Sequence, residues 1–230
     1  MSKRICVIAA HPDDEVLGCG GTMSMHHDAG DEVQVLIMAE GLTSREDSRD
    51  AVRNRKALDE LKNTAIRANS LLGVTNVEFG GFPDNRMDGC DRLDIVKTVE
   101  DYLARLQPDI IYTHFSSDLN VDHRRVHEAV ITAVRPIPGQ TVQSLRFFEV
   151  PSSTEWQMPD RASNFAPNWF QNISDSLGRK IEALNEYQCE MRDWPHARSI
   201  EAVTHLAHWR GATVGVEAAE AFVLGRQLIN

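Results

Sequence analysis

Short apolar runs alternate with longer helical patterns along the first 150 residues of the chain. Chains of this kind pair their strands in parallel, because each helix crosses back over the sheet in a right-handed connection. The alternation therefore predicts an α/β fold with a mostly parallel central sheet. The predicted strands are 5–10, 33–39, 77–82, 110–115 and 145–150, and the predicted helices are 15–29, 45–72, 92–106 and 123–134.

The alternation stops after residue 150. Residues 151–175 are rich in Pro, Ser, Asn and aromatic side chains, which favours a loop that can hold a short strand. No linker-like composition separates the two parts, so we predict a single domain over residues 1–230, in which a helical C-terminal cap at 151–230 covers the 1–150 core. The helices predicted in the cap are 176–192, 199–208 and 216–227.

The net charge of the chain, −10 at pH 7, argues against a surface for nucleic acid or anionic lipid. No apolar run reaches the roughly 18 residues of a membrane span. The start, "MSKRICVIAAHPDD", runs straight into acids and does not resemble a signal peptide. The four cysteines form no C-x-x-C pair, which is typical of buried free thiols in a reducing compartment, and we predict a cytoplasmic location.

The first apolar run ends in His11-Pro12-Asp13-Asp14-Glu15. Three adjacent carboxylates repel one another, and a helix N-terminus would stabilise them by only about 1 kcal/mol, whereas a divalent cation could compensate them fully. The alternative is a simple turn and helix cap. Ligands of open parallel sheets collect beyond the C-terminal ends of the strands. That rule points to the loops 11–15, 40–45, 82–90, 114–123 and 151–157.

A second cluster of His and Asp follows the fourth predicted strand, in "IIYTHFSSDLNVDHRRVHEAV". Two such clusters at two strand ends predict a metal site of mixed nitrogen and oxygen ligands. Two histidines and one aspartate with an open water position are a normal catalytic zinc set, and the lack of thiolates leaves other divalent ions open. We expect the remaining histidines, His26, His27, His196, His205 and His208, to lie in the core or on the surface.

The segments "AAHPDDEVLGCGGTM" and "DLNVDHRRVHEAV" together resemble the LmbE-like (PIG-L) family of zinc-dependent deacetylases. The resemblance extends through "FPDNRMD", "FFEVPSSTEW" and "WRGATVGVEAAEAF" and covers most of the chain. Members of this family remove acetyl from N-acetylglucosamine-type groups. The resemblance implies a Rossmann-like three-layer sandwich and makes a homo-oligomer a reasonable expectation.

The same resemblance implies roles for individual residues. It makes His11, Asp14 and His123 the zinc ligands and Asp13 the general base. It makes Asp122 an acid that orients the ligand region. His127, which shares a helical face with His123, is expected to have a structural or supporting role.

The chain departs from the family at Asn120, where many members have a histidine. Asparagine can donate a hydrogen bond to an oxyanion but cannot deliver a proton at neutral pH. We therefore expect either that Asn120 acts only as an oxyanion donor and another group is the acid, or that activity is weaker. We expect His114 to be the substitute acid, with protonated Asp13 as the alternative. The family's usual acid in the helix after residue 42 also has no clear match.

Three further residues are predicted to contact the substrate. Asp84 matches a family position that contacts sugar hydroxyls, with a plain loop turn as the alternative. Arg86, or Arg45, could meet a phosphate or carboxylate if it is not simply a solvated surface residue. Trp156 is placed to line a sugar pocket, the alternative being core packing. The glycines of "GCGG" lack the G-x-G-x-x-G spacing, which disfavours dinucleotide binding.

These patterns predict a zinc-dependent hydrolase that removes acetyl from a small-molecule N-acetylated amino sugar or sugar conjugate. An amidase that acts on a larger N-acyl or conjugated amino sugar is the first alternative. The second alternative is a catalytically inactive, metal-dependent sugar-binding protein, which Asn120 favours. The acceptor sugar stays open.

Overall fold

The computed structural model describes residues 2–45, 49–50, 52–158 and 164–229, with the side chain of Arg45 left out. Seven strands are described: β1 Arg4–Ala9, β2 Glu32–Ala39, β3 Asn76–Phe82, β4 Ile110–His114, β5 Ser144–Phe148, β6 Trp169–Asn172 and β7 Ala219–Gln227. Six α-helices are described: α1 Asp14–Asp28, α2 Arg55–Leu71, α3 Arg92–Leu106, α4 Val121–Ala133, α5 Leu177–Glu186 and α6 Ile200–Ala212.

The seven strands form one sheet in the order β3-β2-β1-β4-β5-β7-β6. The first five strands are parallel, whereas β7 runs antiparallel to both β5 and β6. The predicted α/β fold with a mostly parallel sheet is confirmed.

Helices cover both faces of the sheet, because both faces of its central strands are apolar. Alternate residues of β1 enter two separate cores: Ile5 and Val7 face α1, α2 and α5, while Cys6 and Ile8 face α3 and α4. This arrangement is the three-layer sandwich that the family resemblance implies. The cleft described below lies at the C-terminal ends of its parallel strands.

The C-terminal region differs from the predicted loop and helical cap at its last element. The segment 216–227, predicted as a helix, contains the strand β7 from Ala219 to Gln227, and the short strand allowed within 151–175 is β6. The local sequence of β7 suits a helix, but pairing with β5 and β6 satisfies its backbone and buries Phe222 against Tyr112. Tertiary pairing therefore overrode local propensity. Helix α2 is also shorter than predicted, since it begins only at Arg55. Residues 46–48 and 51 of that prediction lie outside the described residues.

The glycines of "GCGG" allow α1 to pack closely on its neighbours. A Cβ atom on Gly18 would overlap the ring of Phe148, and one on Gly21 would lie 2.9 Å from Ile173. Helix α1 is kinked at Cys19, whose φ of −150° is not helical. The carboxylate of Glu220 on β7 accepts the N–H groups that follow this kink, from Gly21 at 3.0 Å and Thr22 at 2.7 Å. The glycines therefore have a packing role.

Within the described part of the chain, no helix is long and apolar enough to cross a membrane. Cys6 and Cys19 are buried thiols, as expected from the sequence, whereas Cys90 is only partly buried and Cys189 is exposed, so the expectation that all four are buried is wrong.

Candidate active site

An open cleft lies at the C-terminal ends of the parallel strands. The residues that line it come from all five predicted loops, and four more, Leu61, Val150, Glu190 and Arg198, lie outside those loops. The described lining residues are His11, Pro12, Asp13, Asp14, Gly41, Leu42, Ser44, Leu61, Asp84, Asn85, Asn120, His123, Val150, Ser152, Ser153, Glu190 and Arg198. The strand-end rule therefore located the cleft from the order of strands and helices alone.

Three of the predicted ligand atoms form a nearly equilateral triangle at the floor of the cleft. The Oδ2 atom of Asp14 lies 3.1 Å from His11 Nδ1 and 3.1 Å from His123 Nε2, and the two nitrogens are 3.3 Å apart. A tetrahedral zinc ion with bonds of about 2.0–2.1 Å places its ligand atoms roughly 3.3 Å apart. The spacing of the three ligand atoms therefore fits a single zinc ion.

A carboxylate outside the triangle orients each of the two histidines. The Nε2 atom of His11 lies 3.0 Å from Asp122, and the Nδ1 atom of His123 lies 3.1 Å from Asp118. Each contact leaves the other ring nitrogen directed at Asp14. Carboxylates placed in this way fix the tautomer of a metal-binding imidazole and raise its basicity.

His11 also lies close to a second pair of acids, Asp84 and Asp122. Asp122 is fully buried, and its two oxygens accept the backbone N–H groups of Asn85 at 2.7 Å and Met87 at 2.9 Å. A carboxylate engaged in this way supports His11 and the loop after β3 rather than a cation in the cleft. This position suits the orienting role that the resemblance implies for Asp122.

The acids around the triangle change the proton affinity of both imidazoles. Burial lowers the pKa of His11, but the hydrogen bonds to Asp122 and Asp14 outweigh it and raise the pKa well above its usual value. Burial also opposes protonation of His123, whereas the charges of Asp14 and Asp118 raise its pKa to about 9. A cation must displace these protons, so metal affinity is expected to fall as the pH is lowered.

Asp13 lies beside the triangle in a strained conformation. Its φ of 118° is unusual for a residue other than glycine. Its backbone N–H donates to the Glu15 carboxylate at 3.1 Å, and its own carboxylate accepts a hydrogen bond from Arg198 at 3.1 Å. Burial and the charge of Asp14 raise the pKa of Asp13 well above its usual value, against the opposing effect of Arg198.

Glu15, the third acid of the turn, has a structural role. It is fully buried, and its Oε1 atom accepts hydrogen bonds from Asn69 on α2 at 2.8 Å and from the Tyr187 hydroxyl at 2.6 Å. Its other oxygen accepts the Asp13 N–H. The three acids therefore have distinct surroundings: Asp14 faces the two imidazoles, Asp13 faces the cleft, and Glu15 joins the turn to the helices behind it.

Asn120 lines the cleft with its amide held in place from both sides. Its Oδ1 atom caps α4 by accepting the N–H of Asp122 at 2.8 Å, and its Nδ2 atom donates to Asn85 at 2.8 Å. An amide nitrogen carries two hydrogens, so one remains for a ligand. The position is compatible with the predicted role as an oxyanion donor.

The geometry argues against His114 as the acid. Its ring is fully buried and stacked on His123 with centroids 4.0 Å apart, and it is not among the described residues that line the cleft. Its Nε2 atom accepts the N–H of Ala10 at 2.7 Å. Burial lowers the pKa of His114 well below its usual value, which disfavours the imidazolium form that a general acid needs. His127 is buried behind it and donates to the His114 carbonyl at 2.9 Å, in line with a structural role.

The predicted substrate contacts take three different positions. Asp84 lines the cleft and accepts the N–H of Ser44 at 3.0 Å. Trp156 is 47% exposed and contacts the ring of His196, with centroids 5.5 Å apart. Arg86 is exposed and is absent from the described lining of the cleft, which disfavours it as a substrate contact. The side chain of Arg45 lies outside the described residues.

Sequence reasoning missed three residues of the site. Asp118 lies within the quoted "DLNVDHRRVHEAV", but sequence reasoning gave it no role. Glu190 and Arg198 lie between the two C-terminal segments that resemble the family, and the Arg198 guanidinium lies 4.0 Å from the Glu190 carboxylate. Only the packing of the region between those segments onto the cleft reveals them.

The family of this chain is shown by a match over the region that contains the candidate site. The sequence model of PIG-L, described as GlcNAc-PI de-N-acetylase, matches residues 6–134, which is more than half of the chain. The chain belongs to the PIG-L family. The matched region of this PIG-L chain contains the triangle of candidate metal ligands, Asp13, and both orienting carboxylates.

Relatives and solved structures agree with the PIG-L assignment. The probable N-acetyl-alpha-D-glucosaminyl L-malate deacetylase 2 of Bacillus cereus is 22% identical over 192 residues, covering 83% of this chain and 84% of the relative. The N,N'-diacetylchitobiose deacetylase from Pyrococcus horikoshii superposes with a TM-score of 0.77 at 20% identity, over 98% of this chain and 84% of the other.

A hydratase shares the same fold. GalB, the 4-carboxy-2-hydroxymuconate hydratase from Pseudomonas putida, superposes with a TM-score of 0.76 at 23% identity, over 99% of this chain and 98% of the other. One fold therefore carries two kinds of reaction, and the reaction of this PIG-L protein has to be argued from its site.

Proposed function

We propose that the protein is a zinc-dependent N-deacetylase that hydrolyses the acetamide of an N-acetylated amino sugar to acetate and a free amine. The observation that carries the proposal is the triangle of His11, Asp14 and His123 in an open cleft, with the Asp13 carboxylate beside it. Membership in the PIG-L family and the deacetylase names of two relatives support the same reaction.

The donor set suits zinc. Two imidazoles and one carboxylate are a common catalytic zinc set, and each imidazole has the supporting carboxylate that such sites use. Bound to these side chains, a zinc ion supplies Lewis-acid activation of water at neutral pH. Other divalent ions that accept nitrogen and oxygen ligands would occupy the same position.

Asp13 acts as the general base and then as the acid. Its raised pKa suits a group that takes a proton from water near neutral pH. Because His114 is buried away from the cleft, the proton accepted by Asp13 is the one returned to the departing amine. Arg198 holds the Asp13 carboxylate at the cleft wall, and the spare Nδ2 hydrogen of Asn120 donates to the developing oxyanion.

Asp84 binds the sugar. It is 3% exposed and lines the cleft, and each oxygen of an ionised carboxylate accepts more than one hydrogen bond. After accepting the N–H of Ser44 and a hydrogen from the Asn85 amide, it retains lone pairs for sugar hydroxyls. A role as acceptor for sugar hydroxyls would explain why Asp84 is buried in the cleft although it is not one of the three proposed zinc ligands.

The test is acetate release from N-acetylglucosamine and N,N'-diacetylchitobiose by the purified protein. We expect chelation to abolish release and added zinc to restore it. The Asp13→Asn variant should bind zinc with unchanged stoichiometry and lose turnover, whereas Asp59→Asn, on the exposed face of α2, should behave as wild type. A metal-loaded protein that releases acetate from no member of a broad panel of N-acetylated sugars would refute the proposal.

The same protein and the same Asp13→Asn variant distinguish the deacetylase from the two alternatives, an amidase for larger N-acyl groups and an inactive sugar-binding protein. A preference for bulky N-acyl groups over acetyl, measured by mass spectrometry on a series of N-acyl glucosamines, would favour the amidase. Asn120 is the observation that favours a binding protein without turnover. In that case wild type and Asp13→Asn would bind zinc and sugar equally and both would be inactive.

A further inference from the structure

The backbone conformation of Asp13 needs groups that hold it. Its φ of 118° lies in a region that residues other than glycine rarely adopt, and such a conformation persists only where the surroundings fix it. The Asp13 carbonyl is held in the first turn of α1, where it accepts the N–H of Leu17 at 2.8 Å. The Asp13 N–H is held by the Glu15 carboxylate at 3.1 Å. These two contacts fix the backbone on both sides of the Asp13 Cα atom.

The φ torsion of Asp13 sets where its carboxylate lies relative to the candidate metal ligands. His11 and Pro12 precede the bond about which φ turns, and the Asp13 side chain follows it. Without the contact to Glu15, this bond would relax towards negative φ, and the Asp13 carboxylate would move relative to His11. Asp14 has a separate link to His11, because its carboxylate accepts the His11 N–H at 2.8 Å. A loss of the Glu15 contact is therefore expected to displace Asp13 more than the metal ligands.

Glu15 is itself held by two helices that lie behind the cleft. Its side chain is fully buried, and its Oε1 atom accepts hydrogen bonds from the Asn69 amide on α2 and from the Tyr187 hydroxyl at the end of α5. The Tyr187 contact, at 2.6 Å, is the shortest that Glu15 makes with these groups. All of the groups donate, which suits an ionised carboxylate and stabilises its buried charge.

The hydroxyl of Tyr187 has a fixed position. The Tyr187 side chain has no exposed surface and packs in the core that α1, α2 and α5 form with the sheet. Its carbonyl accepts the N–H of Glu190 at 2.8 Å, and Glu190 lines the cleft. Tyr187 lies outside residues 6–134, so the match to the PIG-L family implies no role for it.

We propose that Tyr187 is a positioning residue for the general base. Its hydroxyl orients the Glu15 carboxylate, and Glu15 holds the Asp13 backbone in the conformation that directs the Asp13 carboxylate beside the triangle. This inference rests on the proposed deacetylase function. It adds that the C-terminal region holds Asp13 twice, at the backbone through Tyr187 and Glu15 and at the side chain through Arg198.

The test measures kcat, KM and zinc stoichiometry on the N-acetylated sugar that wild type deacetylates fastest. Tyr187→Phe removes one hydroxyl and leaves the ring in place. We expect it to lower kcat about tenfold, with KM and zinc stoichiometry unchanged, because Glu15 loses its shortest hydrogen bond and holds Asp13 less firmly. Glu15→Gln places an amide that cannot accept from all of the donors, and we expect kcat to fall about 100-fold at unchanged KM. If Glu15→Gln does not fold, Tyr187→Phe alone decides.

Tyr102→Phe is the matched control. Tyr102 is 2% exposed and its hydroxyl donates to Gln34 at 3.4 Å, but it packs in the core on the other face of the sheet and is not among the described residues that line the cleft. This variant should have the kcat and KM of wild type. A wild-type kcat in Tyr187→Phe, or an equal fall in kcat in Tyr102→Phe, would overturn the proposal.

A measurement on the Asp13 backbone keeps the proposal testable if the proposed function fails. The amide signal of Asp13, identified in zinc-loaded, 15N-aspartate-labelled protein by its loss in Asp13→Asn, is recorded by NMR for each variant. We expect Tyr187→Phe to shift this signal and Tyr102→Phe to leave it in place, because an amide proton senses the carboxylate that accepts it. Absence of acetate release from wild type would refute the deacetylase alone, whereas an unshifted Asp13 signal in Tyr187→Phe would refute the link between Tyr187 and Asp13.

Discussion

Replacing Asp118 by asparagine tests how the metal-ligand geometry is maintained. The Asp118 carboxylate is fully buried and receives hydrogen bonds from the Asn120 N–H at 2.8 Å, the Thr154 hydroxyl at 2.7 Å and the Ser153 hydroxyl, as well as the contact with His123. An asparagine amide removes the negative charge and turns one acceptor into a donor. The His123 ring is then no longer directed at Asp14.

The Asp118→Asn substitution is expected to lower both the metal affinity and the free energy of unfolding. Loss of a carboxylate that supports a metal-binding histidine weakens metal affinity by about 10- to 100-fold, or roughly 1.4–2.7 kcal/mol. Burial opposes ionisation of Asp118, but His123 and the two hydroxyls lower its pKa from the ordinary 3.8 to about 2. That shift corresponds to about 2 kcal/mol of folding free energy.

The sign of the pH dependence follows from the direction of the shift. Because the pKa of Asp118 is lower in the folded protein, its contribution is fully present above about pH 4 and is lost as the pH falls through 2. The difference in unfolding free energy between wild type and Asp118→Asn should therefore be largest near neutral pH and shrink below about pH 4.

The assays are zinc competition against a chromophoric chelator at pH 7 and urea unfolding of the metal-free protein across the acidic range. The control is Asp59→Asn, whose side chain is 60% exposed and which should match wild type in both. A zinc affinity of Asp118→Asn within twofold of wild type, in a protein with native circular dichroism, would refute the assignment of Asp118 as the support of His123.

Two further predictions concern Arg198 and Gly18, whose contacts are visible only in the folded structure. Arg198→Met should lower kcat at least tenfold without loss of zinc, because the Asp13 carboxylate loses the hydrogen bond from Arg198 at 3.1 Å. Arg198→Lys should restore part of the activity. Equal rates in wild type and Arg198→Met would exclude a role of Arg198 in holding Asp13. Gly18→Ala should reduce the free energy of unfolding in urea by about 1–3 kcal/mol, since its Cβ would overlap the Phe148 ring. Gly178→Ala, which meets no atom within 4 Å, should cost nothing, and similar stabilities for the two variants would contradict the packing argument.

The parallel half of the fold could be predicted because its signal is local. The runs at 5–10 and 110–115 are apolar on both faces, and a strand buried on both faces needs a continuous apolar run. The segment 216–227 could not be assigned in this way. Its residues are compatible with a helix, and the partners that make it a strand are distant in the sequence, at β5 and β6.

The sequence by itself determined the candidate metal-binding triangle of this PIG-L protein. His11 and Asp14 belong to one turn, and His123 lies in the first turn of the helix after a neighbouring parallel strand, so the order of the strands brings them together. Only the tertiary structure decided the surroundings of the groups proposed to handle protons. Burial and a backbone hydrogen bond keep His114 out of the described lining of the cleft, and Arg198 reaches Asp13 from 185 residues away. Proton affinities depend on burial and on contacts between residues that are distant in the sequence, and neither can be predicted from a short sequence segment.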